Sequence, residues 1–142
     1  MCAATAVTAT ACGSAGGGVV NAVRPPPPVN LSVYVNDTRV SVSPASVGAG
    51  PVVFTVTNQS RHAESLAISR ATGGSGPLAS TAPINPQGTT QVQVDCTPGE
   101  YTIATAPHGE NDAQLTESAP IASASFHIGH ERAGSGNQLL QP

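Results

Sequence analysis

The stretch Val47-Gly48-Ala49-Gly50-Pro51-Val52-Val53-Phe54-Thr55-Val56-Thr57-Asn58 decides the class of fold. Val52, Phe54 and Val56 recur with a period of two, which points them to one face of an extended chain and leaves Val53, Thr55 and Thr57 on the other. The preceding Gly48-Ala49-Gly50-Pro51 reads as a break in the chain, and Asn58-Gln59-Ser60 as its end. The same alternation appears on both sides of this stretch. Upstream, Val29, Leu31, Val33 and Val35 alternate with Asn30, Ser32, Tyr34 and Asn36, and Val40 and Val42 resume the pattern after the turn-prone Asn36-Asp37. Downstream, Leu66 and Ile68 mark a short strand, and the runs Thr72–Pro77 and Pro83–Gly88 read as loops. Val92, Val94 and Cys96 share the next face. Pro98-Gly99 leads into Tyr101, Ile103 and Thr105, a pair of strands that reads as a β-hairpin. Ala124, Phe126 and Ile128 form the last strand. No segment carries an apolar stripe at helical spacing.

Several short strands separated by turn signals indicate an all-β protein, a Greek-key β-sandwich of about seven or eight strands. The composition agrees. The chain has 142 residues with 15 Gly and 13 Pro, 3% aromatic and 9% charged residues, and no Trp, so the core is thin and built mostly of Val, Ile and Leu. All five basic residues are arginines and the net charge is −3, which leaves no dense basic face for a phosphate backbone; a nucleic-acid partner is not expected. No apolar run approaches the roughly 20 residues needed to span a bilayer.

Three regions are expected: a leader and tether over 1–28, the sandwich over 29–129, and a disordered tail over 130–142. The leader is Ala/Thr-rich, then Gly-rich, and ends in Pro25 to Pro28, a short polyproline rod. Its segment Ala9-Thr10-Ala11-Cys12-Gly13-Ser14 resembles the end of a bacterial lipoprotein signal. That resemblance implies cleavage before Cys12, a lipid on its sulfur, and an extracytoplasmic protein that is membrane-anchored or secreted, touching the membrane only through that anchor. Cys2, Cys12 and Cys96 make an odd count, so no disulfide framework is expected; Cys96, on an apolar face, reads as a small buried hydrophobe.

The region 29–129 is similar to the cupredoxin-like family, the plastocyanin and azurin type of β-sandwich. Three stretches carry the likeness: Val47 to Asn58, which resembles the family strand V-x-A-G-x-V-x-F-x-V-x-N; Arg61-His62-Ala63-Glu64-Ser65-Leu66-Ala67-Ile68, which resembles its histidine-bearing strand; and Thr97-Pro98-Gly99-Glu100-Tyr101-Thr102-Ile103, which resembles its Pro-Gly-x-Tyr turn. The family's type 1 copper centre uses two His, one Cys and usually a Met. The resemblance puts His62 at the first histidine, Thr105 where the cysteine stands and His108 near the second histidine, at a short spacing. The only Met is Met1. The expectation is therefore a domain without type 1 copper and without a resident cofactor, acting as a binding or structural module for an envelope protein. The alternative is a copper or zinc site built on His62 and His108 for buffering or delivery, with His127, His130, Glu64, Glu110 and Asp112 as further candidate donors. His127 should face outward, His130 belongs to the fraying end, and His62 and Glu64 should share a strand face.

An enzyme is not expected. No Ser lies in a Gly-x-Ser-x-Gly elbow, Gly73-Gly74-Ser75-Gly76 lacks a phosphate-binding lysine, and the carboxylates are scattered.

Overall fold

The computed structural model describes residues 25–74, 76–108 and 120–134. The leader with Cys2 and Cys12, and the segment holding Glu110 and Asp112, lie outside them. The described residues form eight strands: β1 (Val29–Val35), β2 (Val40–Ser43), β3 (Ser46–Asn58), β4 (Ala63–Arg70), β5 (Ala79–Ser80), β6 (Thr89–Cys96), β7 (Gly99–His108) and β8 (Ala124–Glu131).

Alternation builds each inner face. β1 buries Leu31, Val33 and Val35 and exposes Asn30, Ser32 and Tyr34. Its turn into β2 is closed by Asn36, whose Oδ1 accepts bonds from Thr38 N (3.0 Å), Thr38 Oγ1 (2.9 Å) and Arg39 N (2.9 Å). That local bonding is what makes Asn a turn former.

The strands form two hydrogen-bonded sets, β2-β1-β3-β6 and β3-β8-β7-β4-β5, with β3 common to both. Gly48–Pro51 was expected to break the chain, but β3 runs through it unbroken for 13 residues. Gly50 takes φ 124° and the register slips between Gly48 and Ala49, so the strand bends instead of stopping. Its first part, Ser46–Ala49, pairs with β8. Its later part pairs with β6 from Gly50 and with β1 from Val52. One strand thereby turns the corner between the two sheets.

A second expectation fails in an instructive way. β6 and β7 are not a hairpin: β6 pairs with β3, whereas β7 lies between β4 and β8. The Thr97–Pro98 connection is an arch from one sheet to the other. Tyr101 holds it, with its Oη donating to Thr97 O (2.7 Å) and accepting from Thr97 N (3.1 Å). A tyrosine bonding back to the chain just upstream is a recurrent way of fixing such a corner.

The sheets meet over Leu31, Val33, Val52, Phe54, Val56, Leu66, Ile68, Ile103, Phe126 and Ile128, all 2% exposed or less. Phe126 is the keystone. Its ring stands edge-on to Phe54 (5.5 Å, 66°) and lies stacked on Tyr101 (5.3 Å, 23°), so three of the four aromatics join the two layers.

The expected domain boundary at 129 falls inside β8, which continues to Glu131. Arg132 is then anchored by donating to Gly48 O and Ala49 O (3.2 Å each) and Pro51 O (2.6 Å), and it also reaches Pro27 O (2.5 Å). A guanidinium has five donors in a fixed fork, which suits it to bonding several carbonyls around one bend at once.

Candidate functional site

The sandwich has two poles, and the pole at the C-terminal end of β3 carries the candidate site. There β3 ends in Asn58, which is wholly buried. Its Nδ2 donates to His62 O (2.7 Å) and Ile84 O (2.8 Å), and its Oδ1 accepts from Ser60 N (2.9 Å) and Ser60 Oγ (2.7 Å). Its backbone bonds Gly88 and Gln87. Ser60 Oγ adds a bond to His62 O (2.9 Å). One amide thus ties the β3–β4 loop to the β5–β6 loop and fixes the main chain at His62.

The His62 side chain is exposed, just before β4 begins at Ala63. It lies close enough to Asp37 to exert a Coulombic pull on that carboxylate. Asp37 is held below its ordinary 3.8, first by the Arg61 N–H and then by the Arg61 guanidinium; slight desolvation opposes this, and the charges of Arg61 and His62 add smaller pulls. The bonds are Arg61 N to Asp37 Oδ1 and Arg61 Nε to Asp37 Oδ2, 2.9 Å each. The β1–β2 turn and the β3–β4 loop are joined in this way.

Register places His108 at this pole as well. Its backbone in β7 lies opposite Ala63, the neighbour of His62. Thr105, which the resemblance sets against the family's cysteine, lies in β7 opposite Leu66. Glu64 does not share a face with His62: it is buried on the Leu66 and Ile68 side, with its backbone paired to Ile84. The remaining candidates lie elsewhere. His127 faces outward on β8 and its Nδ1 meets Glu100 Oε1 at 2.6 Å, both side chains being about half exposed. His130 is exposed near the end of β8. Among the described residues, no group of three or more His, Cys, Asp or Glu is gathered closely enough to hold a metal ion.

Cys96 sits at the far pole, opposite Gly50 across β3, whereas Thr89 at the other end of β6 pairs with Thr57 beside Asn58. At about 3.3 Å per residue the length of β6 separates this thiol from His62 by roughly 20 Å. Burial pushes the Cys96 thiol from 9.0 up to about 11; Asp95 adds to the rise, and Arg70 and Arg132 offset part of it. A neutral, buried thiol is a poor ligand and a poor nucleophile. A type 1 copper centre needs a cysteine thiolate beside its histidines, and Cys96, the one cysteine among the described residues, lies at the pole opposite His62; the chain's one methionine is Met1.

The Asn58 knot, the Asp37–Arg61 clamp and the Arg132 anchor are structural supports that strand periodicity does not reveal. Only the first had a local signal, an Asn followed two residues later by a Ser at a strand end.

No family model matches the chain, and no curated protein matches it in sequence. Among solved structures it is similar to Na-dithionite-reduced auracyanin from the photosynthetic bacterium Roseiflexus castenholzii. The identity is 12% and the TM-score 0.46, over 72% of this chain and 96% of that one. It is also similar to a Cu-containing nitrite reductase from Thermus scotoductus SA-01, at 15% identity and TM-score 0.44, over 74% of this chain but only 28% of that one. Likeness of this degree decides nothing about function, which rests on this chain's own residues.

Proposed function

We propose that this chain is an extracytoplasmic, cupredoxin-like domain without type 1 copper, tethered to a membrane by a lipid on Cys12, that works by binding a protein of the cell envelope. The supporting observation is polar. Pro27 and Arg132, next to the two ends of the folded domain, are bonded together beside Gly50, at the pole opposite Asn58 and His62. On this reading the chain enters the domain at the pole opposite His62. The His62 pole is built of fixed loops, with Arg61, Asp37 and His62 exposed on a main chain held by Asn58. Loops positioned by a rigid scaffold are the usual carriers of recognition.

Two measurements test this reading. The full chain expressed in a bacterium is expected in the membrane fraction, and Cys12→Ala in the soluble extracytoplasmic fraction; identical partition overturns the tether. Arg61→Ala with His62→Ala is expected to abolish cross-linking to envelope protein while lowering the melting temperature only slightly, through loss of the exposed Arg61–Asp37 pair.

A second reading has its own observation: register brings the backbones of His62 and His108 to one pole. On this reading the pole takes Cu(II) or Zn(II). Binding is then expected at 1:1, lost in His62→Ala, and weakened as pH falls through the imidazole range, because a ligating imidazole must be neutral. Binding that ignores both pH and the substitution excludes it.

A further inference from the structure

The fold treats its strand edges unequally. Beside β2, Ala122 forms a parallel bridge with Arg39, with Val40 N donating to Ala122 O (2.8 Å) and Ala122 N to Thr38 O (3.0 Å). β2 itself is four residues long and runs into Pro44. At the other end of the strand order, β5 has two residues, and the start of β4 is bridged by Ile84 through Glu64 N to Ile84 O (3.1 Å) and Ile84 N to Glu64 O (2.9 Å). These are the ordinary devices that blunt an edge: shortness, proline and cover.

Among the described residues β6 has none of them. It is eight residues long and pairs with β3 in unbroken register from Cys96↔Gly50 to Thr89↔Thr57. It contains no proline, glycine, lysine or bulge, and its one charge is Asp95. Among the described residues no strand pairs with its outer edge. A long, regular, nearly uncharged edge is a template for another strand.

We propose that β6 is a homodimerisation edge, on which β6 of a second copy pairs antiparallel across a two-fold axis. The first sheet of each copy then continues into the other as β2-β1-β3-β6-β6-β3-β1-β2. The second copy is chosen because the strand is complementary to itself. Directly opposite residues of an antiparallel pair share a face, so the axis must pass through a residue. With the axis on Gln93, Val92 meets the partner's Val94 and Gln91 meets the partner's Asp95. With the axis on Val92, that valine meets its own copy, Gln91 meets the partner's Gln93 and Thr89 meets the partner's Asp95. In both registers valine continues the inner face, amides and hydroxyls continue the outer face, and no two charges of like sign stand opposed. Val92 and Val94, half-buried against the core, gain the cover they lack at an open edge.

The test is sedimentation velocity of the full chain over a wide range of concentration, with Gln91→Glu/Gln93→Glu as the variant. Both side chains are exposed, and in either register every position changed then sets carboxylate against carboxylate, with the partner's Asp95 among them when the axis is on Gln93. A reversible monomer–dimer equilibrium is expected, with the dissociation constant raised about tenfold or more by the variant and an unchanged circular dichroism spectrum at concentrations where both chains are monomeric. A chain that stays monomeric at every concentration overturns the proposal, as does a dimer that the variant leaves intact. A monomer whose β6 edge amides resist hydrogen exchange also overturns it, and assigns the edge to another segment of the chain.

Discussion

Asn58 shows how one side chain at the end of a strand can determine a whole pole. At zero exposure it keeps every polar group bonded, with two donors on the carbonyls of His62 and Ile84 and one acceptor shared by two groups of Ser60. Replacing it by alanine removes one of two donors from each of those carbonyls, which keep Ser60 Oγ and Glu64 N, and takes from the buried Ser60 N–H its acceptor. Asn58→Ala is expected to cost about 2–4 kcal/mol, read as a lower urea midpoint with an unchanged m-value. His62→Ala should fall within about 0.5 kcal/mol of the parent, because the knot grips the His62 carbonyl and leaves its ring exposed. A large loss in His62→Ala would mean that the imidazole is part of the fold and not a free surface group. The two variants therefore separate the residue that builds the pole from the residue that the pole displays.

The elements divide into those legible from local pattern and those decided by distant contacts. β1, β4, β8 and the inner face of β3 are read directly from alternation, because Val, Leu, Ile and Phe at every second position admit one buried face. The Gly48–Pro51 segment is not legible in this way: the same residues that end a strand also let it bend, and only pairing with β8 on one side and β6 on the other decides between the two. The Pro98-Gly99 step is ambiguous for a related reason. A hairpin and an arch use the same turn residues, and they differ in which sheet the second strand joins. The deciding bond comes from Tyr101, and its effect is measurable. Tyr101→Phe keeps the stack on Phe126 and loses the bonds of its hydroxyl to Thr97, so a loss of about 1–2 kcal/mol is expected, with the near-ultraviolet spectrum showing the aromatic cluster still packed. At the candidate site the closeness of His62 and His108 follows from strand order. The Asp37–Arg61 clamp joins residues 24 apart, and no periodicity connects them.

Across the whole molecule, the two poles also set how stability responds to pH. At the His62 pole, Asp37 is held below 3.8 by Arg61. Above that pH the carboxylate is ionised in both states and its stabilising contribution is complete. As pH falls through the unfolded value, the unfolded chain takes up a proton first, and the contribution is lost as pH drops through the depressed folded value. The pair is exposed, with the Arg61 side chain 84% accessible, so this acid limb should be shallow and flattened further by salt. At the other pole, Cys96 is raised to about 11. Below 9.0 the thiol is neutral in both states and its contribution is whole. Between 9.0 and about 11 the unfolded chain releases its proton first, so stability falls with a slope approaching one proton. The urea midpoint followed from acid to alkaline pH should therefore form a plateau with a weak, salt-sensitive acid shoulder and a steeper alkaline fall. Asp37→Asn should remove the shoulder alone, and Cys96→Ala should flatten the alkaline fall while lowering the plateau through the small cavity it leaves. An alkaline fall that survives in Cys96→Ala would assign it to another group and remove Cys96 from the account of the far pole.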